Sequence, residues 1–257
     1  MAEIFDSHSH YYNTRFDNDR KEVLNGLKDK GVGLVLVAGC DIESSKKVSQ
    51  MCRDYNFVFG SAGVHPTDSI RVTGDYLSEL RKLFSENPKL VAVGEIGYDY
   101  FYDTPKEIQT KFFREQLTLA KELDKPVIIH SREASRDTLE LLKEFKPKGV
   151  VHCYSSSTEV AKEIVNLGMY IGFTGVITFD NAKKAKVTAR EIPLDRILIE
   201  TDCPYLAPVP FRGQRCDSSM LTYVADAIAE IRGISREEVI KASYDNAIRA
   251  YEMESLI

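Results

Sequence analysis

The sequence predicts an α/β fold, a closed (β/α)₈ barrel with one additional C-terminal helix, and three observations lead there. Eight short apolar runs rich in Val and Ile alternate with longer amphipathic stretches from end to end, the pattern of parallel strands joined by helices. The runs are evenly spaced and no Gly-rich phosphate fingerprint follows the first, which favours a closed barrel over an open doubly wound sheet. The chain holds five histidines, and each comes directly after one of the runs. In a barrel the C-terminal ends of all strands meet at one face, where this fold places its chemistry.

In order, the first strand opens at Ile4-Phe5-Asp6, and a helix is expected from about Asp17 to Lys30, closed by Gly31. Val32 to Ala38 is near-continuously apolar, as a parallel strand covered on both faces should be. Asp41 is placed to N-cap a helix reaching Tyr55. Phe57 to Val64 makes the third strand and Tyr76 to Ser85 the third helix. The fourth strand, Leu90 to Val93, leads into Gly94-Glu95-Ile96-Gly97. Pro105 suits the first turn of a helix running to Leu123. Strands five to eight are read at Pro126 to Ile129, Gly149 to Val151, Met169 to Phe173 and Arg196 to Glu200. Helices at Ser135 to Phe145, Thr158 to Leu167 and Ala182 to Arg190 separate them. Two helices end the chain, Ser219 to Arg232 and Ser235 to Glu252, the second opening on a capping box of Ser235 with Glu238.

Composition bounds the function. A hydrophobic fraction of 43% with 28% charged residues over 257 residues is that of an ordinary globule, and no linker or charge block splits it, so residues 1–257 are read as one domain. No run of about 18 apolar residues would span a membrane. The N-terminal segment lacks a basic start followed by an apolar stretch, so no secretory signal is expected. Five cysteines without a CxxC pair favour reduced thiols and a cytoplasmic setting. The net charge of −5 argues against the broad basic surface of a non-specific duplex binder.

The chemistry gathers at the strand ends. His8 and His10 lie two apart, so in an extended chain they share a face, and neutral imidazole is the commonest protein ligand for transition metals. His65, His130 and His152 follow strands three, five and six; Glu95 follows strand four and Asp202 strand eight. His8, His10, Glu95, His130, His152 and Asp202 make a mixed N/O set suited to Zn, Mn, Ni or Fe and less diagnostic for Mg. These six exceed what one tetrahedral ion needs. Two divalent ions about 3.5–4 Å apart, bridged by a carboxylate, would use them all. His65 could serve as ligand, acid or phosphate contact. Arg132, two after His130, could grip an anionic substrate bidentately, and Arg212 and Arg215 flank Gly213 in a plausible anion-binding loop. Tyr98, Tyr100, Phe101 and Tyr102 could stack on bases or simply pack over a helix. Cys153 and Cys203 adjoin candidate ligands but should point away from them as small buried hydrophobes. No G-x-S-x-G elbow exists, which removes a serine-hydrolase reading.

Taken together, His8-Ser9-His10, Gly94-Glu95-Ile96-Gly97-Tyr98-Asp99-Tyr100, His130-Ser131-Arg132, His152-Cys153 and Glu200-Thr201-Asp202-Cys203-Pro204 resemble, in order, the motifs of the TatD-like metal-dependent deoxyribonucleases, within the amidohydrolase-like metallohydrolases. The resemblance runs from His8 to Asn246-Ala247. It implies a TIM barrel with two divalent ions (Mg, Zn, Mn or Ni). His8 and His10 would hold one ion, His130 and His152 the other, and Glu95 would bridge. Asp202 would bind the first ion and orient or deprotonate the attacking water, while His65 and Arg132 would face the substrate; Arg212, in the loop after strand eight, is a further candidate substrate contact. The implied activity is hydrolysis of DNA phosphodiesters, in several members from the 3′ end. Single-stranded ends are expected from a concave mouth and a net charge of −5, and a monomer or weak oligomer with no obligate protein partner and no membrane is expected. Tyr98 stands where the family usually has Leu, Thr67 where an aromatic or histidine is common, and Cys216 and Ser218 where Asn and Pro are usual. That last loop is expected to rim the mouth and shape what it admits. A non-nuclease amidohydrolase acting on a small ester or amide is the alternative, disfavoured because Glu95 stands where those enzymes often carry a carbamylated lysine. A silent binding barrel would be expected to have lost a ligand, and none is missing.

Overall fold

The computed structural model describes residues 3–257; residues 1 and 2, the start of the segment read above for a secretory signal, lie outside the described residues. Eight parallel strands follow in order: β1 (Ile4–Ser9), β2 (Val32–Ala38), β3 (Val58–Ala62), β4 (Leu90–Asp99), β5 (Val127–Arg132), β6 (Gly149–Val151), β7 (Tyr170–Phe173) and β8 (Ile197–Ile199). Each pairs with the next, and a parallel bridge between Ser9 and Cys203 closes β8 onto β1. There the His10 N–H donates to the Cys203 carbonyl at 2.8 Å and the Asp202 N–H to the His8 carbonyl at 2.9 Å. Around the strands run α1 (Arg20–Asn25), α2 (Ile42–Asp54), α3 (Tyr76–Glu86), α4 (Lys106–Glu122), α5 (Ser135–Phe145), α6 (Thr158–Asn166), α7 (Lys183–Glu191) and α8 (Leu221–Arg232), with α9 (Arg236–Ala250) additional. The architecture is a (β/α)₈ TIM barrel. No helix among the described residues is long and apolar enough to cross a membrane.

Strand alternation divides the core into two layers. Phe5, Leu36, Phe59, Ile128, Val150 and Leu198 point inward and form one apolar cluster. Val35, Val37, Val58, Val127, Val151 and Ile197 point outward and pack with the surrounding helices in another. The end of the chain belongs to the inner layer: Ala247, Ile248, Tyr251 and Met253 join it. The Tyr251 hydroxyl donates to the Ser7 carbonyl at 2.9 Å. Asn246, fully buried, donates to the carbonyls of Leu194 at 2.9 Å and Ile197 at 2.8 Å. The additional helix thus seals the barrel away from the strand C-termini. Its capping box of Ser235 with Glu238 is present, as is an Asp41 cap on α2.

Two differences from the sequence reading matter. The helix expected from Asp17 to Lys30 is broken: α1 ends at Gly26, and a 3₁₀ turn, Lys28–Lys30, completes the connection. Glycine is a poor helix interior residue, and Arg20 is tied to the carbonyls of Tyr11, Tyr12 and Asn13 rather than lying free on a helix face. In contrast, β1, β4 and β5 run past their apolar stretches to Ser9, Asp99 and Arg132. The pairing continues where the side chains turn polar because those side chains face the mouth. Registers shift between Asp6 and Ser9 in β1 and between Val93 and Ile96 in β4. Strict alternation from inward-facing Phe5 would turn His8 outward. An irregularity of this kind re-aims side chains, and such features cluster beside active sites.

Candidate metal centre

At the strand C-termini the two oxygens of one carboxylate divide a set of imidazoles. Glu95 Oε1 lies 2.8 Å from His130 Nδ1 and 2.7 Å from His152 Nε2. Glu95 Oε2 lies 3.4 Å from His8 Nε2 and 3.7 Å from His10 Nε2. Asp202 Oδ1 joins that second group, 3.1 Å from His10 Nε2 and 3.7 Å from His8 Nε2. The rings of His8 and His152 stack at 4.1 Å, bringing the two groups side by side.

The tautomers can be read from the outer hydrogen bonds. His10 Nδ1 is 3.0 Å from the Ala38 carbonyl, which can only accept, so Nδ1 carries the proton and Nε2 a lone pair. That lone pair faces His8 Nε2 at 3.1 Å and the Asp202 carboxylate. His130 Nε2 is 2.9 Å from Asp99 Oδ2, so its Nδ1 lone pair faces Glu95 and His152 Nε2, the latter at 3.2 Å. Acceptors crowded this closely repel unless positive charge sits between them. Burial disfavours charge on His10, His130 and His152. Even so, Cys40 and Asp202 lift His10, Asp99 and Glu95 lift His130, and Glu95 and Glu200 lift His152 above the ordinary histidine range. Burial likewise opposes the charge on Glu95, but His152, His65 and His8 hold it well below the usual carboxylate range. The field demands cations, and a donor set of neutral imidazoles and carboxylates suits divalent metal. Groups that could hold an ion include His8 with His10 and Glu95, and His65 with Glu95 and His130.

His65 is disfavoured as a ligand by its own tautomer. The Thr67 N–H donates to His65 Nδ1 at 3.2 Å, so the ring proton sits on Nε2, which is turned towards Glu95 Oε1 at 3.6 Å. Burial, then the neighbouring His130, pushes its pKa down to about 3, leaving a neutral N–H donor at the centre. The Thr67 hydroxyl also lies 2.7 Å from His65 Nδ1, so the side chain at this position adds to the backbone N–H in fixing the ring.

A cavity of about 920 Å³ opens over the centre. His10, His65, Glu95, His130, Arg132, His152 and Asp202 line it, while His8 lies beneath, fully buried. Several expectations need correction. Arg212 does not line this cavity; it is exposed and stacks on Phe179 at 4.3 Å, while Arg215 is paired with Asp19 at 2.5 Å. Cys216 and Ser218 do not rim the mouth either. Both are buried, and the Ser218 hydroxyl donates to Asp6 at 2.6 Å behind the histidines. Cys153 lines the cavity instead of pointing away, because a φ of 45° in the left-handed region turns the chain after β6. The aromatic cluster divides: Tyr98 and Tyr100 bond Thr110 and Asp137 on the surrounding helices, while Phe101 and Tyr102 stay exposed.

Three buried acids escaped the sequence reading as site residues. Asp99 orients His130. Glu200 accepts from the Cys153 N–H at 2.5 Å and lies 3.6 Å from His152 Nδ1, a buried nitrogen without a hydrogen-bond partner. Asp6 accepts from the Thr201 hydroxyl at 2.7 Å and from Ser218, and burial raises its pKa to about 7 against those bonds. Period two along β4 from Glu95 through Gly97 was the available signal for Asp99.

Relatives carry the same signature along their length. The family described as TatD related DNase matches residues 5–252. The metal-dependent hydrolase YabD of Bacillus subtilis is 41% identical, over 97% of this chain and 99% of its own. YcfH of Escherichia coli, also a metal-dependent hydrolase, is 35% identical, over 98% and 97%. The crystal structure of YjjV, a TatD homologue from Escherichia coli, superposes with a TM-score of 0.93 at 32% identity, covering 98% of each chain. With matches of this extent, and imidazoles crowded around carboxylates in a way that calls for cations, the chain belongs to the TatD family of metal-dependent hydrolases.

Proposed function

We propose that the protein is a two-metal phosphodiesterase that hydrolyses DNA at single-stranded or 3′ ends. The observation that carries this is the division of Glu95: each of its oxygens faces its own pair of histidines. His8, His10 and Asp202 would hold one divalent ion, His130 and His152 the other, with Glu95 shared. Bound ions supply Lewis acidity, neutralising charge on a phosphoryl oxygen and acidifying water. Asp202, at the cavity wall, orients the attacking water and accepts its proton. The His65 Nε2–H donates to a non-bridging phosphate oxygen, and Arg132 binds the same group through its planar fork. The cavity lining carries the carboxylates of Asp68, Glu95, Asp99, Asp103 and Asp202 against the guanidiniums of Arg71 and Arg132, a negative balance that two divalent ions reverse. Phosphate binding therefore depends on metal. A concave mouth on a chain of net charge −5 offers a long duplex no basic track, so a strand end is favoured.

The test is metal analysis after reconstitution with Mg, Mn, Zn or Ni, coupled to turnover of 3′-overhang, single-stranded and blunt duplex DNA. About two ions per chain and faster turnover of single-stranded ends are expected. Bound metal at background level would overturn the metal assignment, and equal rates on blunt duplex and overhang would overturn the preference for ends.

A further inference from the structure

Exposed aromatic surface collects at the mouth, and hydrolysis as described does not use it. Tyr102 and Tyr205 line the cavity, 53% and 47% exposed. Phe101, 54% exposed, meets Tyr102 edge to face with ring centroids 5.1 Å apart. Exposing two adjacent rings forgoes the burial that Tyr98 and Tyr100, their neighbours in sequence, obtain against the helices. The guanidinium of Arg132 lies 3.7 Å from the Phe101 centroid and 5.7 Å from that of Tyr102. Arg81 and Arg215 are each neutralised by a carboxylate, whereas Arg132 makes no ion pair among the described residues. A cation held flat against a ring is oriented without being neutralised, and its donors remain free for a phosphate.

We infer that Phe101 and Tyr102, with Arg132 beside them, form a stacking subsite for an unpaired base next to the scissile phosphate of a single-stranded nucleic acid. The inference rests on the phosphodiesterase reading and adds the feature that selects the substrate. A base within a duplex has both faces covered by its neighbours and cannot lie on these rings without unstacking. An unpaired base can, and every base has a π-face, so the subsite discriminates unpaired from paired rather than one base from another.

The experiment compares wild type with Tyr102→Ala, Phe101→Ala and Tyr102→Trp, all metal-loaded, on a single-stranded oligonucleotide and on one whose 3′-terminal nucleotides are abasic. Both side chains are more than half exposed, so truncation leaves the fold intact. Tyr102→Ala should raise KM for the ordinary oligonucleotide roughly 5- to 150-fold, the equivalent of losing one stacked base, with little change in kcat. On the abasic strand it should change nothing, and Tyr102→Trp should restore wild-type KM on the ordinary strand. If wild type cleaves the oligonucleotide while both alanine variants keep its KM, or raise KM equally on both strands, the stacking subsite is wrong. If wild type cleaves neither strand, the phosphodiesterase reading itself fails.

Discussion

Asp99 shows how one residue governs another on the neighbouring strand. Its carboxylate accepts the His130 Nε2–H at 2.9 Å and so aims the Nδ1 lone pair at Glu95. Outer partners of this kind typically contribute 10- to 100-fold in metal affinity. Asp99→Asn should weaken one ion's affinity by about that factor and leave the ion held by His8 and His10 in place, as metal titration would resolve. Unchanged affinity for both would remove the orienting role. Asp202 is expected to act on chemistry instead. Asp202→Asn keeps the size and one oxygen but loses the base, and a positioned acid–base group is worth typically 10²–10⁴-fold. Turnover should fall by that order with a modest change in KM, while Arg132→Ala should raise KM more than it lowers turnover. Near wild-type turnover in Asp202→Asn with its metals retained would show that the proton goes elsewhere.

Among the elements, β4 and β5 carry the tightest constraint. A Cβ on Gly97 would sit 2.0 Å from the His130 carbonyl oxygen, and its φ of 142° is poorly suited to any side chain. Glycine here lets the two strands approach closely enough for Glu95 and His130 to meet. Gly172 in β7 has a related role, since a Cβ there would lie 2.4 Å from a Glu200 carboxylate oxygen. Gly97→Ala must therefore displace backbone, at a cost of about 1–3 kcal/mol for the strained conformation. Because the shift falls on His130, metal content should drop with stability in this variant. Chemical denaturation paired with metal analysis on the same sample checks both, and a Gly97→Ala protein with full metal content would refute the constraint.

For the molecule as a whole, the barrel brings carboxylates and imidazoles from β1 to β8 into one small volume, an arrangement that repels itself without cations. Ions that bind the folded chain and not the unfolded one stabilise it by about 2.7 kcal/mol per site at a concentration 100 times Kd. For a chain of this size each kcal/mol shifts Tm by roughly 2–4 °C. Stripping with a chelator should lower Tm by roughly 5–10 °C per emptied site, and adding back metal should restore it. A melting temperature indifferent to chelation, in protein shown to have lost its metal, would mean that the site is not under this electrostatic load.

Much of this was legible in the chain. Apolar runs at barrel spacing fix strand order, and a polar residue directly after such a run can hardly avoid the mouth, so His8, His10, Glu95, His130, His152 and Asp202 could be named without coordinates. Periodicity reports which face and which end a residue occupies. It does not report what a side chain meets across the barrel. Asp6 and Ser218 are 212 residues apart and bond at 2.6 Å; no local pattern contains that pair. The same holds for Asp99 with His130, Glu200 with His152, and the outward turn of Arg212 onto Phe179. The ends of β1, β4 and β5 were read short because apolarity stops before hydrogen bonding does, and Cys153 was misdirected because alternation ends where φ becomes positive. Composition and spacing determined the barrel and its histidine- and carboxylate-bearing ends, since these follow from burial and period. Which nitrogen of each histidine faces inward, and which acid holds it there, depended on contacts between distant segments and was decided only by the tertiary structure.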